Sequence, residues 1–90
     1  MKFTQNQEIY SYKINDIWMI LEPNKKFIRK LNPTAGLIWE LAVKPVTIEI
    51  VAKNLQKHFK TPELSAAGVV LDVTKLVKNY LKLGFFVEIK

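Results

Sequence analysis

No cysteine occurs in the chain, which excludes disulfide stapling and zinc–thiolate chemistry. Histidine occurs once, as His58 beside Phe59. A lone histidine near a helix end is ordinarily a surface residue. Three glycines are too few and too scattered for a loop that cradles phosphate. Arginine, the residue suited to bidentate phosphate and base contacts, also occurs once, as Arg29. The acids Glu8, Asp16, Glu22, Glu40, Glu49, Glu63, Asp72 and Glu88 are dispersed and offer no close pair for acid–base work. Ser11 and Ser65 have no histidine and acid placed with them as a nucleophilic set. No apolar run approaches the roughly 18 residues of a membrane span. The opening "MKFTQNQEIY" has no apolar signal region. These absences lead to the expectation of a cytoplasmic binding protein: not an enzyme, without cofactor or metal, and without a membrane partner.

What is present fits one small globular domain over residues 1–90, with 49% hydrophobic and 24% charged residues. The net charge is +6, from 14 Lys plus Arg against 8 acids. Such a balance favours an acidic partner. The lysines are spread over the whole chain, so a simply solvated surface is the competing reading.

The first third reads as strands. "EIYSYKI" alternates, with Ile9, Ser11 and Lys13 on one face and Tyr10, Tyr12 and Ile14 on the other. Asn15-Asp16 is a turn pair, and "IWMILE" is a short apolar run rich in strand formers. Pro23-Asn24-Lys25 makes a second turn. "KFIRKL" then alternates, with Phe27, Arg29 and Leu31 opposite Lys26, Ile28 and Lys30. Connections this short predict an antiparallel meander.

The period then changes from 2 to 3.6. Asn32 is an N-cap and Pro33 suits the first helical position. Leu37, Ile38 and Leu41 form one apolar face with Trp39 at its edge, while Ala35 and Gly36 let the first turn lie close to the sheet. Val43-Lys44-Pro45-Val46 ends this helix, and Thr47 caps a second with the stripe Ile48, Val51, Ala52, Leu55 and Phe59. Lys60-Thr61-Pro62 breaks it. A third helix runs from about Ser65 to Leu83, with Val69, Val73, Leu76, Val77 and Tyr80 as its core stripe and Gly84 as its stop. "FFVEI" is either a terminal strand or an apolar tail.

"LNPTAGLIWELA", a second helix opened by Thr47, and "DVTKLVKNYLKLGFF" together resemble the PqqD-like family of leader-peptide-binding domains, also called RiPP recognition elements. The matching features are Leu31-Asn32, Ile38-Trp39, Asp72-Val73, Leu76-Val77, Tyr80-Leu81 and Gly84-Phe85. Departures fall at Pro23-Asn24-Lys25 and Val43-Lys44-Pro45, both loops. The resemblance implies an α+β, winged helix-turn-helix-like fold: three antiparallel N-terminal strands followed by three helices. It also implies a function. The family holds the leader of a ribosomally made precursor peptide, added as a strand beside the third strand and last helix, for a modifying enzyme or leader peptidase acting in trans. "LNPTAGLIWEL" looks closest to lasso-pathway members, with radical S-adenosylmethionine pathways next. On this reading Phe27, Ile28, Arg29 and Lys30 contact the peptide from the strand. A helical wheel puts Val70, Thr74, Val77 and Leu81 on one flank beside the core stripe, where they wall the groove, with Lys78 at its rim. Phe27 and Val77 have a competing reading as core residues.

A winged-helix nucleic-acid binder is the alternative, given the basic charge. A recognition helix needs Arg, Asn or Gln at base-reading spacings. The second helix offers Asn54, Gln56 and Lys57, and the third offers Lys75, Lys78, Asn79 and Lys82. Salt separates the two readings. Peptide affinity is expected to fall only a few-fold between low and moderate salt in a titration, because exposed Lys26, Lys30 and Lys78 assist encounter and are screened. A protein making many phosphate contacts loses about a thousand-fold or more. A steep slope with DNA and none with peptide reverses the ranking.

Overall fold

The computed structural model describes residues 1–22, 27–59 and 66–89. Along them the chain runs β1 (Lys2–Gln5), β2 (Tyr10–Ile14), β3 (Ile17–Leu21), β4 (Ile28–Lys30), α1 (Pro33–Leu41), β5 (Val46–Thr47), α2 (Ile48–Phe59), α3 (Ala66–Leu83) and β6 (Phe86–Ile89). The expected α+β order of a strand meander followed by three helices is present. Three further short strands build a second sheet that the sequence reading did not anticipate, apart from the terminal one, which it left open between strand and tail. The turn Pro23-Asn24-Lys25, Lys26, the break Lys60-Thr61-Pro62, Ser65 and the side chain of Phe59 lie outside the described residues.

The meander is the antiparallel sheet β2-β3-β4. Its first turn has Asn15 at φ 51° and Asp16 at φ 65°. Two consecutive left-handed residues give the turn twist that matches a hairpin, and Asn and Asp tolerate that region. The second sheet has the order β5-β1-β6. Phe3 of β1 pairs with Val46 on one side and Glu88 on the other. "MKFTQ" carries a weak strand signal by itself. Its partners lie more than 40 residues away, so pairing rather than propensity makes it a strand.

Helix α1 lies between the sheets and starts as its sequence predicts. Asn32 Oδ1 accepts the Ala35 N–H at 2.7 Å, and Pro33 occupies the first turn. A Cβ at Gly36 would stand 3.3 Å from Trp18 Cδ1, so the glycine admits β3 against the helix. The last carbonyls of α1 are satisfied by the second sheet: Gln5 Nε2 donates to Trp39 O at 2.6 Å and Thr4 Oγ1 to Ala42 O at 2.8 Å.

Trp39 departs from expectation. It is not at the edge of a helix face but wholly buried, whereas Leu37 and Leu41 are only partly covered. The reason is that α1 is enclosed from two sides. Trp39 Nε1 donates to Ser11 Oγ in the meander at 3.1 Å. Its ring stacks on Phe86 of β6, with centroids 5.7 Å apart and planes 19° apart. Helix α2 is capped by Thr47 Oγ1, which accepts the Ile50 N–H at 3.2 Å, and buries Ile48, Val51, Ala52 and Leu55. Helix α3 buries Val69, Val73, Val77 and Tyr80. It stops at Gly84, φ 84°, where the Phe85 N–H reaches back to Tyr80 O at 2.9 Å.

Trp39→Ala is expected to cost about 3–5 kcal/mol, a large part of the stability of a domain this small. Trp39→Phe keeps most of the stack and loses the hydrogen bond, at about 1–2 kcal/mol. Denaturant midpoints of the two variants measure both.

Candidate peptide-binding site

Strand β4 is an edge of its sheet. The Leu31 N–H donates to Trp18 O at 2.9 Å and the Glu22 N–H to Phe27 O at 3.0 Å, while Arg29 stands opposite Ile20. In an antiparallel ladder such pairs alternate with pairs whose backbone groups face away. The N–H and C=O of Ile28 and Lys30 therefore point outward from the sheet. No described residue takes them.

The side chains of this segment divide between two faces. Phe27, Arg29 and Leu31 turn toward the helices; Leu31 is buried, Arg29 half-buried and Phe27 67% exposed. Phe27 is thus not a core residue. Ile28 and Lys30 are exposed on the opposite face. That outer face continues across the meander through directly paired rows, Tyr10–Leu21–Ile28 and Tyr12–Met19–Lys30, ending in the pair Ile14–Ile17. Among the described residues it is apolar apart from Lys30, and its side chains are not among those packed on the core.

Arg29 links strand β4 to the segment just past the end of α3. Its guanidinium lies 5.5 Å from the Phe85 ring centroid, just past the helix end. Its Nε and Nη2 both donate to Glu22 Oε1, at 3.2 and 2.9 Å. Arg29 is therefore a partnered strut between the edge and the helix end, not an open anion clamp. Burial pushes the Tyr80 phenol above its usual range, and the nearby Arg29 charge partly offsets that. On α3, Val70, Thr74 and Leu81 are half-buried and Lys78 is exposed. Val77 is corrected. It is fully enclosed, because its spacing of four from Val73 and three from Tyr80 puts it on the core stripe. Thr74 Oγ1 donates to Val70 O at 2.7 Å, which ties its hydroxyl proton to the helix. From Val70 to Leu81 the flank is about 16 Å long, the length of about five extended residues.

The Glu22–Arg29 pair was missed in the sequence, where the acids read as dispersed. The available signal was the hairpin. With Ile20 opposite Arg29, Glu22 becomes its diagonal neighbour on the same face.

Beyond Lys30 the sheet end opens into a cleft of about 820 Å³ lined by Trp18, Lys30, Pro33, Leu37, Glu40 and His58 among others. Glu40 is its centre: Lys13 Nζ and Trp18 Nε1 both donate to Oε1, the latter at 3.0 Å. Among the described residues no group of three His, Cys, Asp or Glu side chains stands together as metal ligands do. None of the described helices is long and apolar enough to cross a membrane.

The family model for coenzyme PQQ synthesis protein D (PqqD) matches residues 18–85. The chain belongs to this family. No curated protein and no solved structure matches it. PqqD proteins bind precursor peptides in PQQ-type pathways and are non-catalytic partners there. The match begins at Trp18 and ends at Phe85, so it includes β4, the junction with α1, and all of α3.

Within that PqqD segment, Glu40 is the carboxylate with a clear electrostatic role. The hydrogen bonds from Lys13 and Trp18 hold its carboxyl below the ordinary value of 4.5 in opposition to burial, and the Lys13 and His58 charges add smaller lowering effects. A depressed carboxylate contributes stability that is fully present above the unfolded value and is lost as pH falls through the folded one. Glu40→Gln is therefore expected to lower Tm by a few degrees at pH 7. The difference from wild type should close below about pH 4.5, as measured by thermal unfolding across pH. A gap that does not change with pH removes the ion pair from this role.

Proposed function

We propose that this protein binds the leader segment of a ribosomally synthesised precursor peptide as an added strand on β4, against the flank of α3. It acts in the cytoplasm as a separate subunit and delivers that leader to a modifying enzyme or leader peptidase. A lasso-peptide pathway is favoured, on the Leu31–Leu41 stretch, and a radical S-adenosylmethionine pathway comes next.

One observation carries the reading: an edge strand with two outward-facing N–H and C=O pairs, at Ile28 and Lys30. An added peptide satisfies those backbone groups and sends alternate side chains toward Val70, Thr74 and Leu81. Backbone pairing supplies affinity with little dependence on peptide sequence, while the groove selects the side chains. The exposed Lys53 and Lys57 of α2 suit contact with an enzyme.

The test uses the peptide encoded beside this gene. On titration, backbone amide shifts are expected to cluster in residues 27–31 and 70–81; clustering in Ile48–Phe59 contradicts the placement. Ile28→Pro is the sharper variant. Its N–H faces outward, so proline removes a donor to the peptide but no bond of the β3–β4 ladder. Affinity should fall by about tenfold or more, roughly 1.4 kcal/mol, with little change in Tm. Delivery is tested by reconstituting the neighbouring enzyme with and without this protein. Equal rates of leader processing in both tubes contradict it.

A further inference from the structure

We propose that the peptide is read on both faces of its strand, and that on the outer face it carries an acidic residue against Lys30 two positions from a large apolar residue against Ile28. This rests on strand addition at β4 and extends it to the side of the sheet away from α3.

The register leads to this pattern. The outward backbone groups belong to Ile28 and Lys30, so the two peptide residues directly opposite them form hydrogen-bonded pairs. Directly paired residues share a face of the sheet. The peptide residue opposite Ile28 therefore extends the row Tyr10–Leu21–Ile28, and the one opposite Lys30 extends Tyr12–Met19–Lys30. The intervening peptide residue faces Arg29 and the α3 groove. The spacing of two holds whichever way the peptide runs.

The chemistry of the two positions differs. Tyr10, Leu21 and Ile28 are 65%, 40% and 57% exposed, an apolar row that ends in solvent at the open edge. An apolar peptide side chain there covers part of Ile28. Among the described residues Lys30 is the charged one on this face, and it has no ion-pair partner among them. The nearest comparison is instructive: Lys13 is bound to Glu40 and Arg29 to Glu22. Among the described residues the edge thus offers one unneutralised cation beside one unfinished apolar row. A carboxylate paired with Lys30 is favoured further by the net charge of +6.

A display library of randomised twelve-residue peptides, selected on the full chain, tests the proposal. Wild type is expected to enrich Asp or Glu two positions from a large apolar residue. Lys30→Glu should exchange that acid for Lys or Arg and leave the apolar position unchanged. Lys53→Glu makes the same change in net charge on α2 and should select as wild type does. For one enriched peptide, Lys30→Glu should weaken binding about two- to fivefold, and the matching acid-to-lysine peptide should recover it, as a cross-strand pair predicts. Lys30→Gln removes the charge without reversing it and should abolish the acidic preference alone, which keeps the test valid if the reversal disturbs folding. Identical sequences from wild type, Lys30→Glu and Lys30→Gln overturn the proposal, and so does an equal shift with Lys53→Glu. If Ile28→Pro retains the enriched peptides, strand addition itself fails, which separates the two ideas.

Discussion

Trp39 joins the two sheets of this protein. One end of its ring system is fixed by Ser11 in the meander, and its face lies on Phe86 in the other sheet. A side chain of this size, wholly buried between two layers, sets their separation and the rotation of α1. Phe86 in turn touches Phe3 and Tyr80, with centroids 4.9 and 5.6 Å away, so the same contact network reaches β1 and α3. The position of the last helix relative to the meander follows from this one packing arrangement.

The strand edge depends on that frame in a second way. Leu31 ends β4 in the core, and Asn32 then turns the chain into α1. Between those two residues the backbone must leave the sheet, so no further strand of the chain follows β4 at its outer side. The edge stays open because the next element is a helix packed beneath the sheet. Natural proteins commonly blunt such edges with lysine. Lys30, exposed on the outer face of β4, is placed to have that effect here.

Arg29 shows how tertiary neighbours decide what a lone cation can do. The only arginine lies at the edge, where a peptide contact was expected. Its two donated hydrogen bonds go to Glu22 and its planar group lies over Phe85, so its charge is already answered within the protein. The groove side of β4 is consequently less cationic than composition suggests. Net charge describes the whole chain; which cations remain unpaired is a matter of neighbours.

By itself the sequence determined the local features. The change of period at Leu31-Asn32, the Pro33 and Gly84 boundaries, the Asn15-Asp16 turn and the apolar stripes of α2 and α3 all act through residues within about four positions of one another. Steric and hydrogen-bonding preferences at that range leave few alternatives. The order of the family's motifs was legible for the same reason. The tertiary structure alone decided what depends on distant pairing. It made a strand of Lys2–Gln5, whose partners are Val46–Thr47 and Phe86–Ile89. It drew Trp39 from the edge of its helix into the core and enclosed Val77, which was expected to wall a groove. It also bound Arg29 to Glu22 and left Lys30 open. Each of these outcomes is set by burial and partner geometry between segments, which no spacing within one segment encodes.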